Sequence, residues 1–209
     1  MNRTRTKICG LRDRESIDAA VHAGADAVGF VFVRSSPRYI DPDQAAQLML
    51  GLPPFVSAVG LFQNTPIDAF IEIEQRCPTH YTQLHGTESV ELVRKCGPAI
   101  KAVMFDANTI ADEIARWNEI DEVEALLVDG SWGGQGVSFD WSQVVEPARA
   151  LRKPLILAGG LTPDNVGEAV RMVRPFAVDV SSGVESERGV KDTSLIDAFC
   201  QAVRAADGH

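Results

Sequence analysis

A closed barrel of eight parallel strands, each followed by a helix, is the fold class this sequence predicts. Three observations carry that expectation. Apolar, β-rich runs alternate with amphipathic helical patterns about every 20–30 residues, the rhythm of successive βα modules. One of these runs, Ala27-Val28-Gly29-Phe30-Val31-Phe32, is apolar at consecutive positions, as a parallel strand covered on both faces requires. The residues that end the runs are mostly polar or glycine, and in such a barrel the carboxyl ends of the strands hold the chemistry.

The first strand is expected at 4–9, followed by Ile17, Ala20, Val21 and Gly24 at the i, i+3, i+4, i+7 spacing of a helix face. A second strand at 26–32 leads to Asp41-Pro42. Here an aspartate caps the helix and proline's missing N–H costs nothing in the first turn. The third strand, 56–62, runs to a similar start at Thr65-Pro66, and strands at 80–84, 99–105 and 125–129 follow. The seventh, 154–158, precedes a helix start at Thr162-Pro163 and the stripe Val166, Ala169, Val170, Val173. The eighth, 176–180, precedes Ile196, Phe199, Cys200 and Val203. An open doubly wound sheet would use the same elements, but it usually carries a glycine fingerprint after its first strand, which Cys9-Gly10-Leu11-Arg12 is not.

A length of 209 residues with 45% hydrophobic and 23% charged content suits one domain over 1–209, lean for a barrel and therefore short in its loops. No apolar run is long enough to span a bilayer, and the first five residues lead directly into a strand, so a cytoplasmic protein without membrane attachment is expected. Cys9, Cys77, Cys96 and Cys200 form neither a C-x-x-C pair nor a dense framework, which fits a reducing compartment and gives no structural zinc. The net charge of −9 opposes nucleic-acid binding. An anionic substrate would need local positive potential.

The rim residues are Cys9, Arg34 to Arg38, Gln63-Asn64, Gln83, His85, Asp106, Asp129, Gly159-Gly160 and Asp179 to Gly183. Closure brings Cys9 and Asp129 to one rim as a candidate base and acid. Gly159-Gly160 and Ser182-Gly183 end strands seven and eight, where barrels commonly bind phosphate on backbone N–H groups. The plain alternative is that these glycines only make tight turns.

Seven motifs in order carry a family resemblance: Lys7-Ile8-Cys9-Gly10, Ser36-Pro37-Arg38-Tyr39, Val59-Gly60-Leu61-Phe62-Gln63-Asn64, Gln83-Leu84-His85-Gly86, Val128-Asp129-Gly130, Ala158-Gly159-Gly160-Leu161 and Asp179-Val180-Ser181-Ser182-Gly183-Val184-Glu185. The chain resembles phosphoribosylanthranilate isomerase of tryptophan biosynthesis. Gly133-Gly134-Gln135-Gly136 departs from that family, which commonly has threonine at the position of Gln135. The resemblance implies an Amadori rearrangement without cofactor, with Asp129 as general acid and Cys9 as general base. Such an acid must keep its proton, so burial or a nearby negative charge should raise its pKa; such a base must lose one, so a cation should lower the thiol. Lys7 shares a strand face with Cys9 about 6–7 Å away and acts on it if both face the interior.

Arg38 is the candidate clamp for the anthranilate carboxylate, since a guanidinium grips a carboxylate through two parallel hydrogen bonds; Arg34 is the second choice. Gln83, His85 and Asp179 are candidate substrate contacts, each with a structural alternative. The scattered histidines show no ligand spacing, so no metal is assigned. Trp132, Phe105 and Phe139 are candidate walls for the substrate ring, with core packing as the alternative. Competing readings are a metal-dependent pentose-phosphate epimerase, a flavin-binding barrel and a silent phosphosugar-binding module. Monomer and homodimer both stay open, and the loops after strands one, two and six are where ordering on binding is expected, with Gly130, Gly133, Gly134 and Gly136 as hinges.

Overall fold

The eight apolar runs form strands that pair in sequence order, and the eighth closes on the first to make a parallel barrel. The structure is a computed structural model, and residues 3–130 and 138–208 are described. The barrel strands are β1 (Arg5–Cys9), β2 (Ala27–Val31), β3 (Ser57–Phe62), β4 (Tyr81–Leu84), β5 (Ala99–Met104), β6 (Val123–Asp129), β7 (Leu155–Leu157) and β8 (Ala177–Val180). Between them run helices α1 (Arg14–His22), α2 (Pro42–Met49), α3 (Ile67–Arg76), α4 (Val90–Cys96), α5 (Ile110–Asn118), α6 (Ser142–Arg149), α7 (Val166–Val173) and α8 (Thr193–Ala206).

Side chains alternate across each strand, which divides the apolar interior in two. Ile8, Val28, Leu84, Leu126, Val128 and Val178 point outward and pack with the helices, for example against Ile17, Ile114 and Phe199. Val59, Ile100, Ala102, Ala125, Leu127, Ile156 and Ala177 fill the barrel itself. Helix α5 illustrates the match, because Ile110, Ile114 and Trp117 recur at helical spacing and all three are buried. Caps satisfy the exposed N–H groups of first turns: Asp13 accepts from Ser16, Ser89 from Leu92 and Asp192 from Ser194 and Leu195.

Proline signals locate helix starts less well than strand runs locate strands. Asp41 caps α2 as expected. Helix α3 starts one residue later than Thr65-Pro66 implies, with Pro66 at the cap and no side-chain cap bond. Helix α7 begins at Val166, not after Thr162. Asn165 explains the delay: its Oδ1 accepts from the Thr162 N–H and its Nδ2 donates to the Gly160 carbonyl, so the segment closes a turn before the helix can start. Gly24 leaves the first stripe, since α1 ends at His22 and Gly24 takes φ +84° in the following turn. The connection after β8 is also not short. It holds a 3₁₀ turn (Ser182–Val184) and a small hairpin, β9 (Glu185–Glu187) with β10 (Val190–Lys191), ahead of α8. No helix among the described residues is long and apolar enough to cross a membrane.

Candidate active site

Strand parity decides which side chains meet. In β1, Ile8 faces the helices, so Lys7 and Cys9 face the interior; in β6, Val128 faces out and Asp129 in; in β4, Leu84 faces out and Gln83 and His85 in. Cys9, Arg38, Gln63, His85, Asp129 and Asp179 therefore line one cavity of about 170 Å³ at the carboxyl ends of the strands, together with Ser35, Ser36, Pro37, Ser181 and Arg188. A second, smaller hollow shares Asp129, Asp179 and Ser181 with the first and is otherwise lined by Ala158, Gly159, Gly160, Leu161, Val180, Ser182 and Gly183. The expected base, acid and phosphate turns are thus contiguous.

Cys9 is buried beside Gly29, its register partner on β2. A Cβ at Gly29 would stand 2.8 Å from the Cys9 sulfur and 3.2 Å from the Lys7 Nζ, so the glycine makes room for both. Burial, joined by the Asp179 charge, pushes the Cys9 thiol up, and Lys7 and Lys191 pull it down without overcoming them. The expected cation is present, yet the net direction is the reverse of the one expected. Lys7 is itself held by Asp179, with Nζ 2.9 Å from Oδ1 and both side chains buried. Asp179 therefore anchors the lysine that faces the thiol.

Asp129 is buried at the end of β6, with its Oδ2 3.4 Å from the Nε2 of His85. The amide nitrogen of Gln83 lies 2.8 Å from His85 Nδ1 and donates to it when the imidazole is neutral with its proton on Nε2, the tautomer that directs N–H toward Asp129. Of these two candidate substrate contacts, His85 lines the cavity, whereas Gln83 is fully buried behind it and does not; together they form a chain to the acid. The turn that holds His85 is tied by Glu88, which accepts from the N–H groups of Asn64 and Gly86 and from the Lys101 ammonium at 2.8 Å. Nothing in the strand pattern marks Glu88 or Lys101 as a buried pair.

Arg38 is buried, and its Nε and Nη2 donate to Oε1 and Oε2 of Glu185 at 2.7 and 2.9 Å. The fork expected to receive a substrate carboxylate thus already holds an internal one, which fixes the guanidinium plane at the cavity wall. Lys191 donates to Glu185 as well, at 2.8 Å, and to the Ser181 carbonyl; the Ser181 hydroxyl in turn donates to the Cys9 carbonyl. Glu185 is held below the usual glutamate range despite its burial, because Arg38 and Lys191 both stabilise its charge. Arg34 is exposed with its guanidinium over the Tyr39 ring and does not line the cavity.

Gly159 and Gly160 adopt φ +86° and +65°, and a Cβ at either would strike the backbone of Gly130 or Ser138. A Cβ on Gly183 would lie 1.9 Å from the Leu161 carbonyl. Glycine is thus required both by conformation and by the close packing of three rim loops, which leaves main chain as the lining of the hollow. Phe105 and Phe139 stack on each other with centroids 4.2 Å apart and pack on the core; neither lines the cavity. Trp132 and the glycine sequence Gly133-Gly134-Gln135-Gly136 lie outside the described residues, and Gly130 is the described member of the expected hinges. Among the described residues, no group of three or more His, Cys, Asp or Glu side chains is placed to hold a metal ion.

The family model of N-(5'-phosphoribosyl)anthranilate isomerase matches residues 6–202. The isomerase of Herminiimonas arsenicoxydans is 42% identical, covering 99% of this chain and 96% of its own. That of Dechloromonas aromatica is 45% identical, covering 98% of each. Among solved structures, phosphoribosyl anthranilate isomerase from Thermotoga maritima superposes with a TM-score of 0.88 at 39% identity, over 97% of this chain and 99% of that one. A phosphoribosyl anthranilate isomerase in complex with reduced 1-(o-carboxyphenylamino)-1-deoxyribulose 5-phosphate superposes with a TM-score of 0.86 at 38% identity, with the same coverage. Monomers generated from the dimeric Thermotoga enzyme superpose with a TM-score of 0.85 at 36% identity, over 96% of this chain and 98% of that one.

Proposed function

The chain belongs to the N-(5'-phosphoribosyl)anthranilate isomerase family, and on that premise we propose how its own residues carry the isomerisation. The protein is an isomerase of tryptophan biosynthesis that converts N-(5'-phosphoribosyl)anthranilate to 1-(2-carboxyphenylamino)-1-deoxyribulose 5-phosphate. Asp129 is the general acid and Cys9 the general base. Asp129 gives a proton to the furanose ring oxygen; the bond from that oxygen to C1 breaks, and the nitrogen lone pair moves in to form an iminium. The Cys9 thiolate then removes the C2 proton, and the released pair makes the C1=C2 bond and neutralises the nitrogen. The resulting enolamine tautomerises to the ketone. Every step is a proton transfer or a shift of electrons within one substrate, so the balance closes with acid and base alone and we assign no cofactor.

The observation that carries this reading is the contiguity of the two hollows: Cys9 and Asp129 line one, and the main chain of Gly159, Gly160, Ser182 and Gly183 lines the other. Phosphate bound in the second would place the sugar ring over the first. Arg38, oriented by Glu185, meets the anthranilate carboxylate, and His85, aligned by Gln83, steers Asp129. Active enzyme carries one proton over the acid and base, on Asp129 and not on Cys9. Burial disfavours the Cys9 thiolate in the free enzyme; the cationic iminium next to the sulfur stabilises it once the ring has opened.

For the assembly we propose a homodimer across the amino-terminal face of the barrel. Phe55 is 99% exposed with φ +73°, so a non-glycine residue is strained to hold a bare aromatic ring in water. Beside it an apolar hollow of about 330 Å³ opens between strand starts, lined by Val59, Ile100, Ala125, Ile156 and Phe176. The dimeric Thermotoga maritima relative supports pairing of two copies, and the bare ring beside an apolar hollow marks the face where they would meet. We place the enzyme in the cytoplasm, a reading supported by four free cysteines, three of them buried.

The function is tested by generating phosphoribosylanthranilate in situ, adding the protein and following loss of the anthranilate-type fluorescence. Rapid loss is expected. No acceleration by folded protein would refute the assignment.

A further inference from the structure

The charges around the catalytic cavity are nearly all matched. Lys7 is paired with Asp179, and Arg38 and Lys191 share Glu185. Arg188 is different. It lines the same cavity, its side chain is exposed, and it makes no hydrogen bond or ion pair to any described residue.

Its backbone, by contrast, is fixed. Arg188 follows the last residue of β9, and the next residue, Gly189, donates its N–H to Glu185 at 3.0 Å and accepts from Arg12 at 2.8 Å. Gly189 has φ +85°, and a Cβ there would lie 2.7 Å from the Pro37 carbonyl oxygen. The hairpin tip is therefore clamped against the residue preceding Arg38. An exposed guanidinium without a described partner is thus set on a tied backbone beside the cavity wall that Arg38 forms.

We propose that Arg188 is a specificity-determining residue that places a second guanidinium on the aromatic carboxylate of the substrate, an inference that rests on the isomerase reading above. A carboxylate meeting Arg38 also meets the field of Glu185, which occupies two N–H groups of that guanidinium. A further cation offsets that repulsion. Arg188 does not line the glycine hollow, so its charge belongs to the carboxylate end of the substrate and not to the phosphate end. Its exposure lets the side chain swing out as substrate enters and fold in afterwards.

The test measures dissociation constants by calorimetry for two ligands: reduced 1-(o-carboxyphenylamino)-1-deoxyribulose 5-phosphate and the same compound with an unsubstituted phenyl ring. Arg188→Gln should weaken the carboxylated ligand about tenfold and the phenyl ligand by less than about twofold. Arg188→Lys should restore part of the loss, with a steeper dependence on salt than the wild type shows. Equal weakening of both ligands, or of neither, would overturn the assignment of Arg188 while leaving the isomerase reading intact. Failure of the wild type to bind either ligand would overturn that reading and this inference together.

Discussion

Replacing Glu185 by glutamine removes one charge and strands two. In the wild type, Arg38 and Lys191 both donate to this carboxylate, and their side chains are only 5% and 2% exposed. A glutamine keeps the shape but turns an NH₂ group toward one of the donors, so at least one former bond becomes a donor facing a donor. Removing one partner of a buried ion pair costs about 3–5 kcal/mol, because the remaining charge has neither water nor a counterion. For a chain of this size that corresponds to a Tm lower by about 6–20 °C.

The effect has a definite pH dependence. Glu185 is held below its ordinary value of 4.5, so its contribution to stability is fully present above that value and is lost as pH falls through the lower folded-state value. Circular dichroism melts of wild type and Glu185→Gln should show the full gap at pH 7 and a narrowing gap below the ordinary value. KM should rise as well, since Arg38 loses the partner that orients it. A Tm change under about 2 °C at pH 7, or a gap that widens in acid, would refute the reasoning.

The alkaline limb of kcat/KM should lie above the ordinary thiol value of 9.0, because activity falls when the single shared proton is lost and burial raises the Cys9 ionisation that removes it. A limb clearly below that value in a pH–rate profile would contradict the account of the acid–base pair. Phe55→Glu should convert the homodimer to monomer in light scattering at micromolar concentration, with the fold unchanged, since the ring is bare within one copy. A wild type that is itself monomeric there would refute the proposed interface. Gly29→Ala should lower kcat more than it raises KM, because the new methyl would stand 2.8 Å from the Cys9 sulfur and must displace it. An unchanged kcat would show that the sulfur's position is not critical.

The barrel is legible because parallel strands are buried on both faces, so their apolar runs stand out, and the eight strands form within one or two residues of those runs. Cys9, Asp129 and the glycine turns could be singled out because a barrel's chemistry sits at strand ends, a position read directly along the chain. Other features depend on closure and leave no local trace. Arg38 and Glu185 are 147 positions apart, and Lys7 and Asp179 are 172 apart. Each looks like an isolated charge until β8 closes on β1. Helix α7 starts later than Thr162-Pro163 implies because Asn165 competes for the Thr162 and Gly160 backbone groups, and proline alone does not reveal that competition. The direction of the Cys9 shift turns on burial and the Asp179 charge outweighing two nearby lysines, a balance that depends on three-dimensional packing.

The sharing of the isomerisation's proton transfers between Cys9 and Asp129 is the proposal on which the rest depends. It is tested most directly by turnover of Cys9→Ala and Asp129→Asn with saturating phosphoribosylanthranilate, alongside their affinity for reduced 1-(o-carboxyphenylamino)-1-deoxyribulose 5-phosphate. In each variant kcat should fall by about 10²–10⁴ or more while affinity changes little. Turnover within about tenfold of wild type in either variant would remove that residue from its role.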